Sequence, residues 1–166
     1  MKIEINQYLV PLSQGKFAIV DAEGWEKVKN YKWCYGGGPR NGYALKAIWD
    51  KRSKKRSTTT MHRFLFEDTL GKDIDHINGD KLDNRYSNLR LCEKHENLKN
   101  RGKNKNNTSG FKGVTWNKIA KKWMAQIMVE GKYKYLGVFA DKEEAARAYN
   151  EAAVKLHNQF ANINKL

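Results

Sequence analysis

The stretch from Ile74 to Leu91 constrains this chain more than any other. It reads Ile-Asp-His-Ile-Asn-Gly-Asp over residues 74–80 and ends in Asn88-Leu89-Arg90-Leu91. Asn78-Gly79 between two apolar runs is a strong hairpin signal and predicts a turn. The segment from Glu93 to about Arg101 is typical of a helix. The sequence therefore predicts a compact unit of strand, loop, strand and helix.

The polar residues of this unit could together hold a metal ion and activate a water molecule. Asp75 and Asn97 could hold one metal ion, because Mg²⁺ and Mn²⁺ prefer carboxylate, amide and water oxygens. His76 titrates near neutral pH and could take a proton from water. A side-chain or backbone oxygen of Asn88 could accept a hydrogen bond from the other ring nitrogen and fix the tautomer. Asp75 and His76 serve one site only if the strand ends or bends there, since neighbours on a strand point to opposite faces.

Some of these residues have plainer interpretations. An Asp-His pair before Asn-Gly is also typical of an ordinary hydrogen-bonded turn. His95 competes with Asn97, and on a helix at most one of them faces the metal. His62, ahead of the motif, either lies near the active site or satisfies a core hydrogen bond, and the second interpretation is favoured. Three permanently charged guanidinium groups are candidates for phosphate contacts, Arg63, Arg85 and Arg90.

Asp75-His76, Asn88 and Asn97 together resemble the HNH nuclease motif, in the form found in phage and intron-encoded homing endonucleases. Asn88 follows His76 by twelve residues, and Asn97 follows Asn88 by nine. The resemblance implies that Asp75 and Asn97 bind a divalent metal, that His76 is the general base and that Asn88 orients it. Arg90 is predicted to join these catalytic residues. The family spacing favours Asn97 over His95 as the metal ligand, which leaves His95 facing solvent or DNA.

The charge of the chain restricts its partners. Its 166 residues carry 32 Lys and Arg against 18 acidic residues, for a net charge of +14. Such an excess favours nucleic acid as the partner first and an anionic membrane second. No apolar run is long enough for a membrane-spanning helix, and the N-terminus lacks a signal-peptide pattern. Cys34 and Cys92 are too few for a paired-cysteine zinc site and are expected to be reduced thiols in the cytoplasm.

Residues 1–60 are expected to be β-rich. The alternation in Ile3–Ile5 predicts a first strand, and Asp21 is expected to cap a short helix that runs to Asn30. The basic run Lys51–Arg56 is either a solvated hairpin tip or a phosphate contact. The first domain is predicted to span residues 1–100, with the motif at 61–101. A basic linker at 101–107 follows, in which Arg101 and Lys103 either contact DNA or form part of a solvated tether.

Residues 108–166 are predicted to form a second domain of three strands and one helix. Trp123, Ala125, Ile127 and Val129 alternate toward one face, and Asp141 is expected to begin the helix, with Glu144 completing a capping box. Gly110–Val114, Tyr135–Phe139 and Glu143–Tyr149 resemble the AP2 DNA-binding domain. The resemblance implies a three-stranded antiparallel sheet that enters the major groove, braced by one helix. Its candidate DNA contacts are Thr115, Trp116, Lys118, Lys122, Gln126, Lys134 and Tyr135.

These features together predict an α+β protein, with a ββα-metal HNH region behind a β-rich N-terminal part and an AP2-like domain. The predicted function is metal-dependent, strand-nicking DNA cleavage of the homing type by a phage-encoded monomer in a bacterial cytoplasm, with duplex DNA as partner. One alternative is a catalytically silent DNA-binding regulator on the same frame. An RNA-binding protein also fits the charge, but it does not explain the motif.

Overall fold

The computed structural model describes residues 7–36, 42–52, 54–66, 69 and 71–166. The predicted strand Ile3–Ile5 lies outside these residues. The chain divides into two compact units between Lys94 and His95. Small antiparallel sheets and short helices make up both units, which confirms the predicted α+β class.

The described residues of the first unit form three antiparallel sheets of two or three strands. Two of them are formed by elements ahead of the motif. In chain order these elements are β1 (Gln7–Pro11), β2 (Phe17–Asp21), α1 (Ala22–Val28), β3 (Cys34–Tyr35), β4 (Ala44–Asp50), β5 (Lys55–Thr60) and α2 (Met61–Leu65). β1 pairs with β2, and β4 lies between β3 and β5. Val20, Val28, Met61 and Leu65 are almost fully buried in the core that these elements share.

Asp21 begins α1 as the sequence predicts. One carboxylate oxygen accepts a hydrogen bond from the backbone N–H of Gly24, at 2.9 Å. The other accepts from the backbone N–H of Tyr86, at 2.8 Å. Such a cap satisfies one of the backbone donors that a helix start leaves unpaired. Asp21 therefore fixes the helix and also a loop that lies far away in the sequence.

The motif forms β6 (Asp73–His76) and β7 (Leu89–Cys92), which pair as an antiparallel ladder. Asn78-Gly79 makes a turn directly after β6, with Gly79 at a φ of 76° and its N–H bonded to the carbonyl of His76. The connection is nevertheless longer than a tight hairpin, because β7 begins only at Leu89. α3 (Lys94–Asn100) follows β7, close to the predicted helix.

The second unit contains β8 (Val114–Asn117), β9 (Lys122–Val129), β10 (Lys132–Phe139) and α4 (Lys142–His157). β9 is the central strand and pairs antiparallel with both neighbours. Asp141 caps α4 by accepting from the N–H groups of Glu143 and Glu144. Ala125, Ala145 and Ala146 are fully buried between sheet and helix. Their small side chains let α4 lie close to the sheet.

The end of α3 is fixed within the second unit. The ammonium group of Lys112 donates to the carbonyl of Lys99, at 2.7 Å, and the amide of Asn162 donates to the carbonyl of Asn100, at 2.8 Å. Both bonds satisfy carbonyl groups that a helix end leaves without intrahelical partners. Burial lowers the pKa of Lys112 to about 8. Residues 101–107, which follow, form neither helix nor strand and are mostly exposed.

Gly113 is the tightest glycine position in the second unit, and replacing it with alanine should destabilise the sheet–helix packing. Its φ is +75°, and an added Cβ would lie 2.1 Å from the ring of Tyr149 and 2.7 Å from the carbonyl oxygen of Gln126. Gly113→Ala is expected to lower the free energy of unfolding by about 2–4 kcal/mol.

Urea unfolding followed by circular dichroism would measure this loss. Gly110→Ala is the matched control, because Gly110 also has a positive φ, +86°, but no atom lies within 4 Å of an added Cβ. The control isolates backbone strain and should cost about 1 kcal/mol. Equal losses in the two variants would contradict the steric explanation.

Candidate active site and nucleic-acid interface

A polar network holds the loop of residues 77–88 between β6 and β7. The amide of Asn88, buried at the end of this loop, donates to the side-chain oxygen of Asn78 at 3.0 Å and to the carbonyl of Asp83 at 2.8 Å. Its oxygen accepts from the backbone N–H of Asn78, at 3.0 Å. The Asn78 amide in turn donates to the Asp83 carboxylate. Asn88 thus ties both ends of the loop together.

Asp83 is the charged centre of this network. Its carboxylate is 2% exposed and accepts from Nε and Nη2 of Arg85, at 2.7 and 2.5 Å. The hydrogen bonds from Arg85 hold the pKa of Asp83 below its usual value. Backbone hydrogen bonds between Ile19 and both Leu82 and Asn84 attach the loop to β2. Arg85, a predicted phosphate contact, is engaged here in bracing the loop.

Asp75 and Arg90 form a cross-strand ion pair beside this loop. They are direct partners in the β6–β7 register. Nε and Nη2 of Arg90 both donate to Oδ2 of Asp75, at 3.0 and 2.6 Å. The side chain of Arg90 is 14% exposed and that of Asp75 is 7% exposed, so solvent screens the pair weakly. The predicted metal ligand and the predicted catalytic arginine are therefore in direct contact.

His76 ends β6, next to Asp75, and both side chains are buried. β6 ends at His76, and Asp75 and His76 are both paired within it, opposite Arg90 and Leu89; that the two side chains serve one site stays a prediction. Burial lowers the pKa of His76, while a hydrogen bond with Asn84 and the charge of Asp75 oppose that shift. The imidazole is therefore neutral near pH 7 and able to accept a proton.

Asn84 is a partner of His76 that the sequence did not predict. It is 1% exposed, and its amide donates to the carbonyl of Leu82. The sequence offered no local signal for it, because its position depends on the path of the whole loop. Asn88, which is predicted to orient His76, uses its side chain to hold the loop. Its backbone carbonyl accepts from the backbone N–H of Ile77, the residue after His76. Its role in orienting His76 stays a prediction.

His62 and Tyr43 complete the surroundings of His76. The rings of His62 and His76 meet edge-to-face with centroids 5.0 Å apart, and Tyr43 lies 5.2 Å from His62 and 6.0 Å from His76. Nε2 of His62 lies 3.1 Å from the hydroxyl oxygen of Thr60. Both interpretations of His62 therefore hold, since it makes a buried hydrogen bond and lies beside the predicted general base. Burial and the neighbouring His76 lower its pKa to about 3.

Other predicted residues are distributed over both units. Asn97 lies in α3 and belongs to the second unit, so its pairing with Asp75 at a metal stays a prediction. Arg63 is exposed, with a loose ion pair to Asp73 at 3.8 Å. Arg101 is exposed, and the exposed Lys103 donates to the carbonyl of Gly110.

The second unit has one sheet face packed on α4 and one outer face. The core face contains Trp123, Ala125, Ile127 and Val129, as predicted. The register places the alternate residues of β9 and their cross-strand partners on the outer face. Among them are four predicted DNA contacts, Thr115, Lys122, Gln126 and Tyr135. Tyr133, 66% exposed on the same face, was missed, although its alternation with Tyr135 could have identified it.

Trp116 and Lys134 lie on the opposite face of the sheet from the other predicted contacts in its strands. Trp116 pairs with Trp123, and Lys134 pairs with Ile127, so both lie on the face that carries α4. The ring of Trp116 packs edge-to-face on Trp123, with centroids 5.1 Å apart. Both side chains are nevertheless exposed, Trp116 by 46%, and their contacts with DNA stay a prediction. Lys118 is exposed in the turn after β8, and its role stays a prediction.

The low pKa of His62 makes the first unit sensitive to acid. The folded chain holds His62 neutral down to about pH 3, whereas an unfolded histidine binds a proton near pH 6.5. The unfolded state therefore binds more protons between these values. The free energy of unfolding is expected to fall as the pH drops through this window, by up to about 5 kcal/mol from this residue.

Urea titrations from pH 7 to pH 4 without divalent cations would test this. His62→Gln removes this titrating group and should make the pH dependence shallower, while His76 and Asp83, whose pKa values are also lowered, retain part of it. His95→Gln is the control, because His95 is exposed, and it should leave the slope unchanged. Equal slopes in the wild type and His62→Gln would contradict the prediction.

Comparisons with known proteins agree on two segments. Residues 61–99 match the family profile described as HNH endonuclease, and residues 109–159 match the AP2 domain. The chain is 33% identical over 168 residues to a protein named as an uncharacterized HNH endonuclease of Acanthamoeba polyphaga mimivirus, covering 96% of this chain and 81% of that protein.

Two further relatives each match part of the chain. Protein 3.8 of Escherichia phage T7 is 39% identical over 88 residues, 53% of this chain and 72% of that protein. An AP2-like ethylene-responsive transcription factor of Arabidopsis thaliana is 42% identical over 57 residues, 34% of this chain and 12% of that protein. No solved structure matches the chain. The match to the mimivirus protein over nearly the whole chain and the two matching domains show that this chain belongs to the HNH endonucleases and carries an AP2 domain.

Proposed function

We propose that this chain is a divalent-metal-dependent DNA endonuclease that nicks one strand per active site. The observation that carries the proposal is a buried, neutral His76 beside Asp75 and Arg90, within the segment that matches the HNH profile. In this proposal His76 takes a proton from the attacking water. Arg90 supplies permanent positive charge next to the phosphate.

The donor set suits a hard divalent cation. Asp75 and Asn97 supply carboxylate and amide oxygens, which Mg²⁺ and Mn²⁺ accept together with water. Among the described residues, no three His, Cys, Asp or Glu side chains cluster as a metal site. Such an ion, when bound, offsets negative charge on the phosphate and the leaving oxygen. Asn88 and Asn84 keep the loop and the imidazole in place.

The second unit would bring the site to its target. The outer face of its sheet presents the exposed Thr115, Lys122 and Tyr135, with the half-buried Gln126 between them. Gln pairs with adenine, and lysine contacts phosphate or guanine. Exposed Arg63, Arg101, Lys103 and Lys118, together with Arg85, are proposed to add phosphate contacts. No helix among the described residues is long and apolar enough to cross a membrane.

We propose that the chain acts as a homing-type endonuclease of a phage or mobile element in a bacterial cytoplasm. The likeness to a protein of Escherichia phage T7 supports the phage part of this proposal. One HNH segment per chain supports a monomer that cuts one strand at a time. Cleavage of both strands would then require two chains or two successive nicks.

Nicking of supercoiled plasmid and phage DNA with Mg²⁺ or Mn²⁺ tests the proposal. His76→Ala is expected to slow formation of open-circular product at least about 100-fold, because a positioned general base contributes that much or more. EDTA should stop cleavage. His95→Ala is the matched histidine control and should retain activity. His95 is exposed, and residues two apart on a helix, such as His95 and Asn97, point in different directions.

Linear product as the first product would contradict one nick per site. Unchanged cleavage in His76→Ala would remove His76 as the base. Salt-dependent DNA binding without cleavage, on DNA that contains the protein's recognition site, would instead support a catalytically silent regulator.

A further inference from the structure

The far half of the β4–β5 hairpin stands away from the core. Near its base, Ala44 is buried and Leu45 half-buried, but every described side chain from Ala47 to Trp49 and from Lys54 to Thr58 is exposed. The strands remain paired there, with Ile48 opposite Ser57 and Trp49 opposite Arg56. Exposure of consecutive residues on both strands means that both faces of this ribbon meet solvent.

The composition of the ribbon suits a polyanionic partner. Five of the six residues at 51–56 are Lys or Arg. Trp49 is 55% exposed and Ile48 is 41% exposed, on opposite faces. Lysines alone could serve to protect a sheet edge from aggregation. An exposed tryptophan opposite an arginine does not serve that purpose, and isolated two-stranded ribbons are marginally stable in water. A partner that covers the ribbon explains both features.

The dimensions of the ribbon fit one groove of duplex DNA. Four residue pairs, from Ala47–Thr58 to Asp50–Lys55, extend beyond the core, about 13 Å at the usual rise of a strand. The major groove of B-form DNA is about 12 Å wide and 8.5 Å deep and admits a two-stranded ribbon, whereas the minor groove is about 6 Å wide. A ribbon of this length reaches the floor of the major groove with its basic tip beside the phosphates.

The base of the ribbon adjoins the candidate active site within the same unit. β5 ends at Thr60, whose hydroxyl oxygen lies 3.1 Å from Nε2 of His62. The ring of His62 in turn contacts that of His76. DNA held by the ribbon would therefore lie next to the imidazole that is proposed to activate water.

We propose that this ribbon, residues 47–52 and 54–58 of the β4–β5 hairpin, enters the major groove of the DNA next to the cleaved bond and is a second sequence-reading element beside the AP2 sheet. Lys55 contacts phosphate, and Arg56, with Trp49 across from it, reaches a base edge. Arginine paired with guanine is the contact that this geometry favours. The choice of DNA as the partner rests on the proposed function, but binding can be tested without cleavage.

The salt dependence of binding tests the phosphate contacts. Affinity for a 40-base-pair duplex would be measured in EDTA between about 50 and 200 mM salt. Lys55→Gln with Arg56→Gln should lower the slope of log K against log salt by about 1, from the lost phosphate contact of Lys55, and weaken binding about tenfold or more. Lys16→Gln with Lys32→Gln removes the same charge from exposed residues elsewhere in this unit and should change neither quantity. Equal behaviour of the two double variants would overturn the proposal.

Selection of binding sites from a randomised duplex tests the groove reading. Arg56→Gln should lose or change the preference at one or two adjacent base pairs while the rest of the selected site stays the same. The wild-type protein should protect guanine N7 at those positions from dimethyl sulfate, and Arg56→Gln should not. An unchanged site, or tighter binding to duplex RNA than to DNA of equal length, would overturn the proposal. His76→Ala should bind DNA with the wild-type base preference. Loss of cleavage in His76→Ala and loss of base preference in Arg56→Gln are therefore separate results.

Discussion

The active-site unit depends on one network of hydrogen bonds, which joins the side chains of Asn78, Asp83 and Asn88. β6 and β7 share only four residue pairs, and a ladder of that size is marginal by itself. The loop between them has to bury polar groups, which is tolerated only when those groups are bonded to one another. Because Asn88, at the end of the loop, bonds to Asn78 at its start and to Asp83 in its middle, His76 and the start of β7 are held in one arrangement before any substrate is present.

The charges around this loop are paired where they are buried. Arg85 compensates Asp83, and Arg90 compensates Asp75. His62 and His76 are kept neutral by burial, so two imidazoles lie in contact without repulsion. A site organised in this way is ready to receive a proton at His76. Each buried charge of the loop already has a partner of opposite charge before a phosphate arrives.

The parts of this structure that follow local periodicity were predictable from the sequence. The caps at Asp21 and Asp141 and the buried face of β9 depend on neighbours within a few residues, and they agree with the prediction. The contacts of His62 and Asn84 with His76 depend on residues brought together by the fold. The faces of Trp116 and Lys134 depend on the register with β9, which residue type does not specify.

The two hydrogen bonds of Asp21 have a consequence for which residues position 21 can accept in evolution. Serine, threonine and asparagine also begin helices, because each offers one oxygen acceptor to a backbone N–H. Only a carboxylate of that length offers two equivalent oxygens, one for α1 and one for Tyr86. A change to another good capping residue would preserve the helix and release the loop. The contact with the loop therefore restricts position 21 to aspartate, although serine, threonine and asparagine would also begin the helix.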